Sequence, residues 1–157
     1  MRELDAIDRK LLEQLQIDAR MPMEMMADRV GLSGPACYRR VRRLRESGVI
    51  EREIAIVKPR RMGWPLSMIV LVTLERERAQ TVDMLIRQFG MVPEIIASWL
   101  VTGDHDFALH MVARDMESFD DLTRRIFVSD ENIRSFKTLV VLRHTKAMSP
   151  IVAAEAG

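Results

Sequence analysis

Apolar residues recur along this 157-residue chain with two different periods, and the period changes near residue 58. Ile7, Leu11, Leu12 and Leu15 recur at helical spacing behind Asp5, a residue type that accepts first-turn N–H groups. A second short helix is predicted from about Pro22, whose fixed φ suits a first turn, to Gly31, which supplies the positive φ of a helix end. Ser33 is read as the cap of a third helix with Pro35 in its first turn. In that helix Cys37, Val41 and Leu44 fall on one face at i, i+4 and i+7, and Tyr38, Arg39 and Arg42 fall away from it. Gly48 closes the helix, and Val49 to Val57 then reads as a period-two strand with Ile50, Ile54 and Ile56 on one side.

The segment KPRRMGWP, Lys58 to Pro65, is read as a linker, because two prolines and a glycine break regular structure. Beyond it strands and helices alternate. Leu66 to Leu74 is a nearly continuous apolar strand, and Val82, Leu85, Ile86 and Phe89 form a helical stripe. Ile95 to Thr102 and Phe107 to Ala113 read as strands joined by a turn at Gly103-Asp104. Asp115 caps a helix with Phe119, Leu122 and Ile126 inward, and Ile133 to Leu142 is the last strand. The order βαββαβ is that of a ferredoxin-like sandwich with helices on one sheet face. Apolar residues on both sides of the strands then call for a second subunit on the other face.

Charge divides the chain in the same place. Val30 to Ile50, VGLSGPACYRRVRRLRESGVI, enters its helix through a Gly-Leu-Ser turn and carries five arginines in seven positions. From Arg29 to Arg61 there are ten basic and three acidic residues, a net of +7; the chain as a whole is +1, which leaves −6 elsewhere. A basic helix entered through a tight turn suits a DNA major groove, where arginine neutralises phosphates and reads guanine edges. The plainer alternative is a solvated basic helix face. No stretch approaches the roughly 18 apolar residues of a membrane span. The charged start MRELDAIDRK lacks a secretory h-region, and the single cysteine, Cys37, reads as a small buried hydrophobe. A reducing cytoplasm is the expected compartment.

Three blocks then carry a resemblance. LDAIDRKLLEQLQIDAR (Leu4 to Arg20), VGLSGPACYRRVRRLRESGVI (Val30 to Ile50) and WLVTGDHDFALHMVARDMESF (Trp99 to Phe119) occur in the order and spacing of the Lrp/AsnC (feast/famine) transcriptional regulators, which the chain resembles over almost its full length. The resemblance implies an α+β protein: an N-terminal winged helix-turn-helix over residues 1–57, a linker over 58–65, a ferredoxin-like βαββαβ domain for effector binding and oligomerisation over 66–148, and a tail over 149–157. It implies a dimeric α/β sandwich that assembles to tetramers or octamers, and an effector, usually an amino acid, bound near the loop after the second sensing strand. The turn VSDENIRSF (Val128 to Phe136) departs from the family's common Leu-Pro-Gly-Val pattern.

Two candidate sites follow. The DNA-binding set is Ser33, Gly34 and Pro35 at the start of the third helix, with Tyr38, Arg39, Arg40, Arg42 and Arg43 along it. Ser33 has two compatible readings, an N-cap and a phosphate-binding helix start. Arg40 and Arg43 flank the buried face and have the alternative of pairing with first-helix acids such as Asp8 or Glu13. Arg60 and Arg61 read as solvated linker residues. The effector-binding set is Thr102, Gly103, Asp104, His105 and Asp106. Read as structure alone it is a hairpin turn; read as a site, two carboxylates beside glycine N–H groups hold the charged ends of an amino acid.

Enzymatic readings are weak. His105, His110 and His144 have no metal-ligand spacing, and no nucleophile elbow, P-loop or dinucleotide fingerprint is present. The methionines at 21, 23, 25 and 26 read as packing. The expected protein is therefore a sequence-specific, effector-responsive transcriptional regulator, without cofactor or metal, whose partners are double-stranded DNA, a small molecule and its own copies. The rival readings are an effector-independent protein that compacts DNA and a stand-alone metabolic sensor or small enzyme.

Overall fold

The computed structural model describes residues 4–76, 78–146 and 150–151. The chain forms two compact units. One runs through Ala55 and takes in the described residues from Thr145 onward; the other is Ile56–His144.

The first unit is three helices: α1 (Ala6–Ile17), α2 (Met23–Val30) and α3 (Gly34–Glu46). Asp5 caps α1 by accepting the Asp8 N–H at 2.8 Å. Pro22 stands at the N-cap of α2, and Gly31 ends it in the left-handed region with φ of +72°. A residue with a Cβ is strained there, so glycine allows the abrupt turn into α3. The three helices meet over Leu11, Leu15, Met26, Val30, Cys37, Val41 and Leu44. Full burial of Leu11, Met26 and Leu44 contributes roughly 1.5–3 kcal/mol each. The methionine cluster packs as expected at Met21 and Met26, both buried, whereas Met25 is exposed.

One expectation fails next to this unit. Val49 to Val57 forms no strand, and Ile54, Ile56 and Val57 are exposed. Alternation gives a segment two faces but no hydrogen-bond partner, and no described strand lies beside this one to complete a ladder. Within the segment read as a linker, Lys58 to Pro65, Pro59–Met62 makes one 3₁₀ turn. Near the chain's end, the Ile151 N–H donates to Gln16 Oε1 at 2.7 Å and Gln16 Nε2 donates to the Ile151 carbonyl at 3.1 Å. That pairing ties part of the segment read as a tail to α1.

The second unit is β1 (Leu66–Leu74), α4 (Ala79–Gly90), β2 (Ile95–Leu100), β3 (Phe107–Ala113), α5 (Met116–Thr123) and β4 (Ile133–Val140). A π-helical turn, Arg124–Val128, follows α5. The sheet is antiparallel with order β2-β3-β1-β4, as a ferredoxin-like sandwich requires. β2 and β4 each stop two residues short of the predicted strands, at Leu100 and Val140. Asp115 and Ser118 cap α5 reciprocally, with the Ser118 N–H at 2.7 Å from Asp115 Oδ1.

Strand alternation sorts the side chains. Met68, Val70, Val72, Leu109 and Met111 pack under Leu85 and Phe89 of α4 and Phe119 and Leu122 of α5. Phe89 meets Phe107 edge-on at 5.3 Å. The alternate residues Ile69, Leu71, Trp99, Ala108, His110 and Leu139 lie on the opposite face, which no described helix covers. Trp99 and Leu139 are 52% and 44% exposed there.

Candidate nucleic-acid interface and effector loop

Helix α3 turns its apolar stripe into the core and its arginines outward, but the arginines are not equivalent. Asp8 of α1 is 2% exposed and holds two of them. Arg43 Nη2 donates to Asp8 Oδ1 at 2.7 Å and to Oδ2 at 2.6 Å, and Arg40 Nη1 donates to Asp8 Oδ1 at 2.9 Å and to Asp5 Oδ2 at 2.6 Å. The hydrogen bond from Arg40, then that from the Asp8 N–H, keeps the Asp5 carboxyl below its ordinary 3.8. A buried carboxylate needs such partners, because its desolvation is otherwise uncompensated. The pairing with Asp8 is the alternative that the sequence left open; Glu13 takes no part among the described ion pairs, and Asp5 serves as partner as well as cap.

Arg42 donates from Nε to Glu46 Oε1 at 2.7 Å, one turn along α3, and Arg45 donates to Glu53 at 2.9 Å. Arg39 forms no ion pair among the described residues, so it is the one α3 guanidinium free of a carboxylate there. It stands beside Tyr38, which is 55% exposed, and with Arg40 and Arg43 it lines a groove of about 410 Å³ over Leu32 and Ala36.

Ser33 occupies the N-cap position of α3, but its hydroxyl makes no capping bond. Pro35, second in the helix, has no N–H to donate, and the third-position Ala36 N–H is not taken by Ser33 either. The expected capping bond is therefore absent, and the Gly34 and Ala36 N–H groups point out of the helix start without a capping side chain.

The 102–106 loop joins β2 to β3, and β1 fastens its second half. Asp106 Oδ2 accepts the Leu74 N–H at 2.7 Å, and the Asp106 N–H donates to the Val72 carbonyl at 2.9 Å. Thr73 Oγ1 lies 2.9 Å from His105 Nδ1 and donates to the Asp104 carbonyl at 3.4 Å. Gly103 has φ of +121°, a conformation that favours glycine, with open space where a Cβ would stand. Thr102 and Asp104 are exposed, and the Asp104 carboxylate makes no hydrogen bond to a described residue. The two carboxylates thus separate: Asp106 is bound into the fold and Asp104 faces outward. Nothing local in the sequence signals the Thr73 and Leu74 ties, which span 32 residues.

His110 and His144, unrelated by sequence spacing, lie with ring centroids 6.0 Å apart, and His110 Nε2 is 2.7 Å from Ser67 Oγ. Burial, then the charge of His144, holds the His110 imidazole below its ordinary 6.5. Among the described residues no group of three or more His, Cys, Asp or Glu is placed to hold a metal. No helix there is long and apolar enough to cross a membrane.

Comparison with known proteins agrees with this architecture. Residues 4–45 match the AsnC-type helix-turn-helix domain family, and residues 67–151 match the Lrp/AsnC ligand binding domain family. An HTH-type transcriptional regulator of Sinorhizobium fredii is 46% identical over 145 residues, 92% of this chain and 86% of the relative. The leucine-responsive regulatory protein of Rhizobium meliloti is 35% identical over 144 residues, 92% of each chain. Among solved structures, the leucine response regulatory protein of Mycobacterium tuberculosis superposes with a TM-score of 0.82 at 27% identity, covering 96% of this chain and all of that one. A transcriptional regulator of Neisseria meningitidis crystallised with L-Met shares the fold, with a TM-score of 0.85 at 23% identity over 95% and 96% of the two chains. A helix-turn-helix that binds DNA and a ligand-binding domain that senses a small molecule are thus joined in one chain, and it belongs to the Lrp/AsnC family of transcriptional regulators, not to a family of enzymes.

Proposed function

We propose that α3 is the reading helix and that the 102–106 loop receives an amino-acid effector. The observation that carries the first half is Arg39, exposed and in no ion pair among the described residues, on the face opposite Cys37, Val41 and Leu44. Tyr38, Arg39 and Arg42 face base edges, while Gly34 and Ala36 N–H groups with Ser33 and Pro35 meet a phosphate at the helix start. Arg40 and Arg43 touch phosphate from a position that Asp8 fixes, so their part is orientation more than readout. The regulator works in the cytoplasm, beside the chromosome it reads.

In the loop, Asp104 takes the effector's ammonium and the N–H groups around Gly103 and Thr102 take its carboxylate. His105 and Asp106 hold the loop's shape through Thr73 and Leu74. The uncovered sheet face with Ile69, Leu71, Trp99 and Leu139 is the contact between two copies, and larger assemblies are built from that dimer. The effector acts by binding one assembly state better than another.

A thermal-shift and calorimetric screen of the proteinogenic amino acids tests the sensor. A ligand at 100 times its Kd raises stability by about 2.7 kcal/mol. Asp104→Ala is expected to abolish that shift and leave DNA affinity intact. A wild-type shift in a correctly assembled Asp104→Ala protein removes Asp104 from the site, and no shift with any amino acid favours an effector-independent, DNA-compacting role. Leu139→Asp is expected to yield monomers by light scattering, where the wild type is at least a dimer.

A further inference from the structure

The uncovered face of the sheet carries a titrating pair near its centre. β1 and β3 are the two inner strands, and His110 of β3 stands opposite Ile69 of β1. The His110 ring is half-buried, with Nε2 2.7 Å from Ser67 Oγ and the His144 ring 6.0 Å away between centroids. Burial first, and the charge of His144 second, disfavour the protonated ring within a single copy.

The charges around the ring have one sign. None of the four strands contains an Asp or Glu. β1 offers His110 the Ser67 hydroxyl, β2 sets Ala97 opposite it, and β4 brings Lys137 to the same face, across from Leu71. The other charges of β4 and the segment after it are Arg134, Arg143 and His144, all basic. Two acids flank the strands nearby. Asp106 is tied to the Leu74 N–H, and Glu94 lines a cavity with Ser118 and Leu122 of α5, on the helix-covered side of the sheet.

A second copy does not change that sign. A two-fold contact is isologous, so the partner lays the same carboxylate-free face against this one. A neutral imidazole is buried there at little cost. An imidazolium loses water, and no strand of either copy holds an anion to replace it. The ring therefore titrates lower in the pair than in the free copy. The contribution of His110 to the contact is fully present above the free copy's value and is lost as pH falls through the pair's value.

We propose that His110, with His144 beside it, makes the sheet-to-sheet contact between two copies sensitive to pH, so that the contact holds at neutral pH and loosens in mild acid. The proposal rests on the reading of this face as the self-contact and adds its regulation: assembly answers to the proton as well as to the small molecule.

Subunit exchange on the full chain tests it. Two batches, labelled at the N-terminus with a donor or an acceptor dye, are mixed at micromolar concentration. Energy transfer reads how fast the copies part, and circular dichroism checks that the fold is intact at each pH. Wild-type exchange is expected to be about tenfold or more faster at about pH 5.5 than at about pH 7.5, with the acceleration lost in His110→Asn. His110→Gln serves as a second neutral replacement if His110→Asn does not fold. The proposal is overturned if wild-type exchange is independent of pH, or if a folded His110→Asn or His110→Gln protein accelerates as much as wild type. Failure of the self-contact reading looks different: Leu139→Asp then remains a dimer, which overturns both. Exchange independent of pH, in a protein that Leu139→Asp does make monomeric, overturns this proposal alone.

Discussion

Arg43 of the third helix grips both oxygens of Asp8 from a single nitrogen, at 2.7 and 2.6 Å, while Asp8 itself is almost wholly buried. The relationship couples the helix that supports the domain to the helix that presents the arginines. Breaking it removes two charge-assisted bonds to Arg43 and one to Arg40, from guanidiniums that solvent reaches and partly rehydrates. Asp8→Ala is therefore expected to cost about 2 kcal/mol, with hydrogen exchange accelerated in α1 and α3 and unchanged in the sheet. Urea denaturation and residue-resolved exchange check this, and an unaltered exchange pattern contradicts it.

The loop that joins β2 to β3 depends on Asp106. Asp106→Asn replaces one carboxylate oxygen or points an amide N–H at the Leu74 N–H, so the bond that fastens the loop to β1 weakens. The expected loss is about 1–2 kcal/mol. Effector affinity falls with it, since His105 and Asp104 are tied through Thr73 in the same corner. Loss of affinity with the Thr73 and Leu74 amides unchanged by NMR would show instead that Asp106 contacts the ligand directly.

His110 gives a pH dependence. Its folded value lies below 6.5, through burial first and His144 second. The neutral form is favoured in the fold, so this contribution is fully present above the unfolded value of 6.5 and is lost as pH falls through the lower folded value. Stability of the second unit is thus expected to decline as pH falls below 6.5, by an amount that His110→Asn removes. NMR titration of the imidazole protons checks the direction: an apparent value at or above 6.5 contradicts it, and His144→Gln should bring it part of the way back up.

Much of the fold was legible in the residue pattern, and the exceptions share a physical cause. β1 and β3 begin and end where the strands read from the sequence do, because each is paired on both sides and sends one whole face into the core. Val49 to Val57 alternates as clearly and makes no strand, since alternation reports a preference for two faces and says nothing of a neighbour to bond. Ser33 stands at the cap position its type predicts, yet its hydroxyl makes no capping bond. In the site, the exposed arc of Tyr38, Arg39 and Arg42 followed from helical spacing. Which arginines are neutralised did not, because Asp5 and Asp8 approach from more than 30 residues away in sequence. The Thr73 and Leu74 ties to the loop are products of strand register, which local pattern does not encode.

The central claim is that α3 reads DNA through the exposed face that carries Tyr38, Arg39 and Arg42. Selection of duplexes from a random pool, followed by anisotropy titration against salt on the enriched and scrambled sequences, tests it most directly. Wild type is expected to enrich a pseudo-palindrome with half-sites one helical turn apart or a multiple of it. Arg39→Ala is expected to lose about 1–3 kcal/mol on the enriched duplex and little on the scrambled one, whereas Lys58→Ala, outside α3, leaves the preference intact. Enrichment and affinity in Arg39→Ala and Tyr38→Ala proteins equal to wild type would contradict the account.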